Sequence, residues 1–157
     1  MASKKDNQHP ILVPVDFSEH SEAALLWACQ LAECSKQPVV VLHVVHDPAD
    51  MPGYYQRVTK KKALPRMEDV AEEMLGEFVA RMVKDSPQVK CLQKVEQMLV
   101  VGLPVTRIIQ VAEKTQASLV VMGSQGRTGL KHLMLGSKSE QVVHLCPVPV
   151  TIVKAKK

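Results

Sequence analysis

The stretch that decides the fold is residues 120–140, VVMGSQGRTGLKHLMLGSKSE. The apolar run that begins at Leu119 ends with Met122 and halts at Gly123; Gly126 comes next, and Gly136-Ser137 lies further along. Ser137 followed by Glu140 has the form of a capping box, the signature of a helix start. The order is strand, glycine-punctuated loop, helix N-terminus. Glycine tolerates positive φ and offers no Cβ to obstruct an approaching group. The first amides of a helix lack intrahelical acceptors and sit at the positive end of its macrodipole. Such a loop suits an anion, phosphate above all. Capping explains Ser137 and Glu140 equally well without a ligand, at about 1 kcal/mol, and Gly123 can simply end a strand. Neither Walker A spacing nor Gly-x-Gly-x-x-Gly is present.

Outward from this stretch, the chain alternates apolar runs with helical patterns. Residues 11–15 (ILVPV) stop at Asp16, and residues 39–45 (VVVLHVV) form a second run. A third lies within 95–101, interrupted by Glu96 and Gln97; a fourth spans 118–122 and a fifth 148–153. Runs apolar on both faces indicate strands covered on both sides, as in parallel sheets. Pro14 has no N–H, so ladder pairing is expected to fail there. Asp16 or Ser18 can cap the next helix, where Ala24, Trp27, Ala28 and Leu31 predict one apolar face and a buried Trp27. From 66 to 85, Met67, Val70, Ala71, Met74, Leu75, Phe78 and Met82 keep one face apolar until Pro87. Gly102-Leu103-Pro104 opens a helix buried through Val105, Ile108, Ile109 and Ala112. Five strands alternating with four helices make the class α/β, a mainly parallel sheet with helices on both faces. The longest connection, residues 46–65, carries Lys60-Lys61-Lys62 and reads as a surface loop or as a lid bringing lysines to phosphate.

Composition narrows the function classes. The 157 residues suit a single domain. With 46% apolar but only 3% aromatic residues, the core must be aliphatic. The net charge of +4 owes much to Lys4, Lys5, Lys154, Lys156 and Lys157 at the ends, without a basic stripe interleaved with aromatics. Nucleic acid is therefore not expected as a partner. Cys29, Cys34, Cys91 and Cys146 form no CxxC pair and read as small buried hydrophobes in a reducing cytoplasm. The lead MASKKDNQHP has no signal-peptide core, and no apolar run approaches membrane-spanning length. His43, inside the second run, reads as hydrogen-bonded structure rather than a base, and no histidine spacing matches a zinc site. Pro149 marks the last strand as an edge. An apolar edge needs covering, most economically by a second copy, which predicts a homodimer through residues 148–153.

In open α/β sheets ligands bind beyond the strands' carboxyl ends, where the strand order reverses. If the first and fourth strands flank that point, Asp16 and Gly123 face one crevice. Asp16 can then accept hydrogen bonds from ribose hydroxyls, while Pro14, Val15, Val44 and Met122 offer apolar surface to a base. The amides of Gly126 and Gly136-Ser137, with the Ser137 hydroxyl, can hold phosphates.

Gly123-x2-Gly126-x9-Gly136-Ser137 resembles the glycine pattern of the ATP-binding branch of the universal stress protein family. ILVPVDFSEHSEAALLWA, VVLHV, VGLPVTRIIQVA and CPVPVTIVK are similar to further segments of that family, so the resemblance spans roughly residues 9–154. It implies a Rossmann-like, adenine nucleotide hydrolase-like sheet of order 3-2-1-4-5 and a homodimer through the last strands. It also implies ATP or AMP in the crevice: Asp16 on the ribose, Val44 and Met122 near adenine, Gly126, Gly136 and Ser137 on phosphates. Mg²⁺ or Mn²⁺ would be held mainly by the phosphates. Lys138 departs from the small or apolar residue common at its position; its amide still suits phosphate, while its ammonium can attract phosphate or extend into water. Arg127 and Ser139 complete the expected binding set. No catalytic residue is expected, because apart from His132 the loop has no carboxylate or histidine to serve as a base. The resulting expectation is a nucleotide-binding stress or regulatory module whose nucleotide state modulates contacts with an unknown protein partner. A slow ATP hydrolase and a ligand-free scaffold are the alternatives.

Overall fold

The computed structural model of the protein describes residues 9–46, 66–127 and 135–155. The apolar runs become β1 (Ile11–Pro14), β2 (Val39–Val45), β3 (Glu96–Val101), β4 (Leu119–Gly123) and β5 (Val150–Val153). All pair in parallel, in the order β3-β2-β1-β4-β5. Helices α1 (Glu19–Ser35), α2 (Met67–Asp85), α3 (Pro104–Lys114) and α4 (Ser137–Leu145) alternate with the strands, and a 3-10 turn (Lys90–Lys94) leads into β3. The α/β class and the strand order are as expected. The 47–65 connection with its lysine run, His132, and the terminal Lys4, Lys5, Lys156 and Lys157 lie outside the described residues.

Strand periodicity divides the core into two layers. Successive side chains of a strand point to opposite faces. Ile11, Val13, Val39 and Val41 accordingly pack with Leu25, Ala28, Leu75 and Phe78 of α1 and α2. Leu12, Val40, Leu42 and Val120 pack with Ile108 and Val111 of α3 and Val142 of α4. Phe78 is the one aromatic among the buried members of these two clusters, with Phe17 packed against the first. No described helix is long and apolar enough to cross a membrane.

The same parity explains where the sheet opens. Ile11 and Val15 donate their N–H groups to Pro38 and Leu42, so odd-numbered residues of β1 bond toward β2. Pro10 accepts from Ser118, so even-numbered residues face β4. Pro14 is even-numbered and has no N–H to give β4. Pairing with β4 covers only Ile11 and Leu12, while pairing with β2 continues through Pro14. The two central strands therefore separate at Pro14.

Several local expectations need correction. Trp27 is 38% exposed rather than core. The buried face of α1 is Ser21, Ala24, Leu25, Ala28, Cys29 and Ala32, and Trp27 lies about 100° around the helix from Ala28. Of the cysteines only Cys29 is buried; Cys34 is exposed, and Cys91 and Cys146 are intermediate. Pro149 lies just before β5, where its carbonyl accepts from Val120, but β5 is nonetheless an edge. The N-cap of α4 is Gly136 without a side-chain bond, not Ser137 in a capping box. The first intrahelical bond, from Glu140 N–H to the Gly136 carbonyl (2.9 Å), places Ser137 inside the helix. Positive φ is not the reason for Gly123, Gly126 or Gly136, since Gly102 is the one described glycine that adopts it. A Cβ on Gly123 would come within 2.6–2.7 Å of the His20 backbone and Cβ, so this glycine lets α1 lie against the end of β4.

His43 is buried in β2, and its Nδ1–H donates to the Val15 carbonyl at 2.8 Å. Phe17, held at φ 66°, stacks on the imidazole with ring centroids 4.3 Å apart. Burial lowers the His43 pKa from its ordinary 6.5 to about 4. The imidazole thus serves as a neutral, hydrogen-bonded pin between β2 and the end of β1.

Gly123→Ala is expected to cost about 1–3 kcal/mol in urea unfolding, because α1 must move away from β4. For His43, a folded pKa below the unfolded one gives a contribution that is complete above pH 6.5 and lost as pH falls toward 4. Across that window, wild-type stability should fall by about 3 kcal/mol more than that of His43→Gln, measured by denaturation at each pH.

Candidate functional site

The separation of β1 from β4 opens a cavity of about 320 Å³ at the carboxyl ends of the strands. The end of β1 supplies Pro14, Val15 and Asp16; β2 supplies Leu42, His43 and Val44; β4 and the loop after it supply Met122, Gly123, Gln125, Gly126 and Arg127. The start of α4 closes one side with Gly136, Ser137, Lys138 and Ser139. All twelve residues expected from the sequence line this one space. Val15, Val44 and Met122 are 5–7% exposed and give it an apolar wall.

Asp16 is already heavily bonded. Its Oδ1 accepts from the Ser18 amide at 3.2 Å and the Ser18 hydroxyl at 2.6 Å. Its Oδ2 accepts the Arg127 amide at 3.1 Å. A carboxylate offers about four lone-pair positions, so these three donors leave Oδ2 room for one more. Ser18 in turn caps α1, its hydroxyl accepting from the Ser21 amide at 3.3 Å. Asp16 therefore ties the start of α1 to the loop after β4. Gly126 is required by this arrangement, since a Cβ there would lie 2.9 Å from Asp16 Oδ2.

The start of α4 distributes its polar groups unevenly. The Gly136 N–H donates to the Ser124 carbonyl at 2.7 Å, so it is engaged within the fold and not offered to a ligand as expected. The Ser139 hydroxyl, buried, donates to the Gly123 carbonyl at 3.0 Å and fastens α4 to β4. Ser137 and Lys138 are exposed. The amides of Ser137, Lys138 and Ser139 precede the first intrahelical bond, which makes this helix end a concentration of N–H donors and positive dipole. Gly136 itself has φ −69°. An added Cβ would meet nothing closer than Gln125 Cα at 3.4 Å. Neither backbone conformation nor packing requires glycine there.

Seven lining residues were not anticipated as site residues: Ser21, Leu42, His43, His46, Pro104, Ile108 and Gln125. Leu42 is legible from register, being the partner of Pro14, and His43 and His46 follow from its place in β2. Pro104 and Ile108 enter because the N-terminal turns of α3 lie over the opening, which helical periodicity alone does not reveal. The Arg127 guanidinium is near enough to oppose protonation of His43.

Comparison with known proteins agrees with this architecture. The model of the universal stress protein family matches residues 8–154. Universal stress protein MJ0577 of Methanocaldococcus jannaschii is 30% identical, over 93% of this chain and 94% of its own length. Its solved structure superimposes with a TM-score of 0.68 at 29% identity, covering 95% of this chain and 97% of that one. A universal stress protein of Thermus aquaticus is 30% identical over 92% of this chain and 97% of its own. A universal stress protein from Archaeoglobus fulgidus, solved in complex with dAMP, shares the fold with a TM-score of 0.60 at 22% identity, covering 93% of this chain and 98% of that one. With the family model matched almost end to end on a sheet of the same order, the chain belongs to the universal stress protein family.

Proposed function

We propose that this protein binds an adenine nucleotide, ATP or AMP, in the cavity between β1 and β4, and acts as a homodimeric regulatory module. The observation that carries this reading is Gly136, whose missing Cβ the fold does not need. Glycine there makes sense if a ligand lies against that backbone. The phosphates would take the amides at the start of α4 and the loop amides near Gly126, with the Ser137 hydroxyl and the Lys138 and Arg127 side chains as further donors. A ribose hydroxyl would donate to the remaining position on Asp16 Oδ2, and the base would lie on Val15, Val44 and Met122. The Archaeoglobus complex is consistent with a fold that accommodates an adenine nucleotide. Among the described residues no cluster of three or more histidine, cysteine or acidic side chains is arranged for a metal. Mg²⁺ or Mn²⁺ would therefore be held mainly by the phosphates, whose charge it would offset.

The homodimer would form through β5. The carbonyls of Pro149 and Val153 are directed to β4, so by alternation Val150 and Ile152 present their backbone groups outward. That edge is apolar and only partly covered, and pairing with a second copy satisfies both conditions. Nucleotide state would then alter contacts with a protein partner, in a cytoplasmic setting. A slow ATP hydrolase is the second reading. It is disfavoured by the engagement of Asp16 in three hydrogen bonds and by the burial of His43, whose lowered pKa makes its imidazole a weak base.

Calorimetric titration with ATP and AMP in the presence of Mg²⁺ should show one site per chain. Gly136→Val should weaken binding at least tenfold with an unchanged circular dichroism spectrum; full affinity in that variant would refute the site. Steady-state phosphate release should stay far below the 1–10³ s⁻¹ common among enzymes, and rapid turnover would instead establish the hydrolase. Ile152→Pro, which removes an outward N–H from β5, should convert a dimer into a monomer by sedimentation equilibrium.

A further inference from the structure

On the opposite side of the sheet's core from the cavity's helix α4, α1 meets the 3-10 turn that leads into β3, and each of the two brings a cysteine to the same apolar layer. Cys29 is fully buried on α1, and Cys91 is partly exposed on the turn. Both belong to the same apolar layer. Each thiol is near enough to influence the other's titration. A separate contact fixes the backbone: Glu33, one helical turn beyond Cys29, accepts the Cys91 amide with its Oε1 at 3.2 Å. The turn is thus anchored over the part of α1 from which Cys29 projects. Neither thiol takes part in the nucleotide site or the proposed dimer edge.

We propose that Cys29 and Cys91 are a dithiol that peroxide converts to an intramolecular disulfide, stapling α1 to the turn ahead of β3. The more exposed Cys91 reacts first. Its thiolate attacks one oxygen of hydrogen peroxide, the O–O bond breaks, and Cys91 becomes a sulfenic acid while hydroxide leaves and is protonated. The Cys29 sulfur then attacks the Cys91 sulfur, forming the S–S bond. The sulfenic oxygen departs with the Cys29 proton as water. In total, two thiols and one peroxide give one disulfide and two waters. The bond brings the two sulfurs to about 2.05 Å. Burial raises both thiols above the ordinary cysteine range, so the pair responds to sustained oxidation rather than serving as a fast peroxidase.

The test is peroxide treatment of the full chain carrying Cys34→Ser and Cys146→Ser, followed by alkylation under denaturing conditions and tryptic mass spectrometry. Cleavage after Lys5, Lys36, Lys90 and Lys94 places Cys29 in peptide 6–36 and Cys91 in peptide 91–94. The expected product is these two peptides joined, lighter by two hydrogens, separated by dithiothreitol, and accompanied by a higher Tm. Adding Cys91→Ser should leave Cys29 fully alkylated. Should the double variant not fold, the unsubstituted chain gives the same answer, because fragmentation distinguishes Cys29 from Cys34. The proposal is overturned if Cys91 proceeds to sulfinic acid while Cys29 remains alkylatable. It is equally overturned if both stay reduced under peroxide exposure that oxidises Cys34 of the unsubstituted chain.

Discussion

The architecture turns on a hydrogen bond that cannot form. A parallel ladder continues only while each strand offers both donors and acceptors to its neighbour. Pro14 arrives at a position of β1 that faces β4, with no N–H, and pairing with β4 extends no further than Leu12. Held by β2 on its other side, β1 continues while β4 turns away. The crevice lies where the order of strands also reverses, so that the connections on its two sides leave in opposite directions. One imino acid thereby positions Asp16, the loop glycines and the start of α4 around a common space.

Around that opening side chains brace one segment against another. Asp16 gathers three donors from two segments remote in sequence, and the Ser139 hydroxyl joins α4 to β4. Phe17 occupies the left-handed region, which costs a non-glycine residue of order 1–2 kcal/mol, and its ring is held by contacts with His43 and Phe78. A polar rim so thoroughly cross-linked is organised in advance, which would lower the ordering cost of binding the proposed nucleotide.

The strands were legible in the sequence because continuous aliphatic runs have few other readings, and the lining of the crevice followed from topology combined with family resemblance. What escaped was the role of individual groups. Helical spacing placed Trp27 inside because alanines on α1 mark no sharp boundary between its faces. Ser137 and Glu140 fit a capping pattern, yet the chain approaches the helix with Gly136 bonded to Ser124, which shifts the cap by one residue. The loop's glycines looked interchangeable in sequence but answer different demands: Gly123 to His20, Gly126 to Asp16, and Gly136 to nothing within the fold. Such distinctions depend on distances between segments that no local pattern contains.

Ser124 complements Pro14 at the other side of the crevice. Its amide bonds to the carbonyl of Val153 at the sheet margin, and its own carbonyl receives the Gly136 amide where α4 begins. One residue thus spans the route from the outermost strand to the mouth of the crevice. The outermost strand is consequently more than a border: removing Val153 would take away the acceptor that steadies Ser124, and with it the footing of α4.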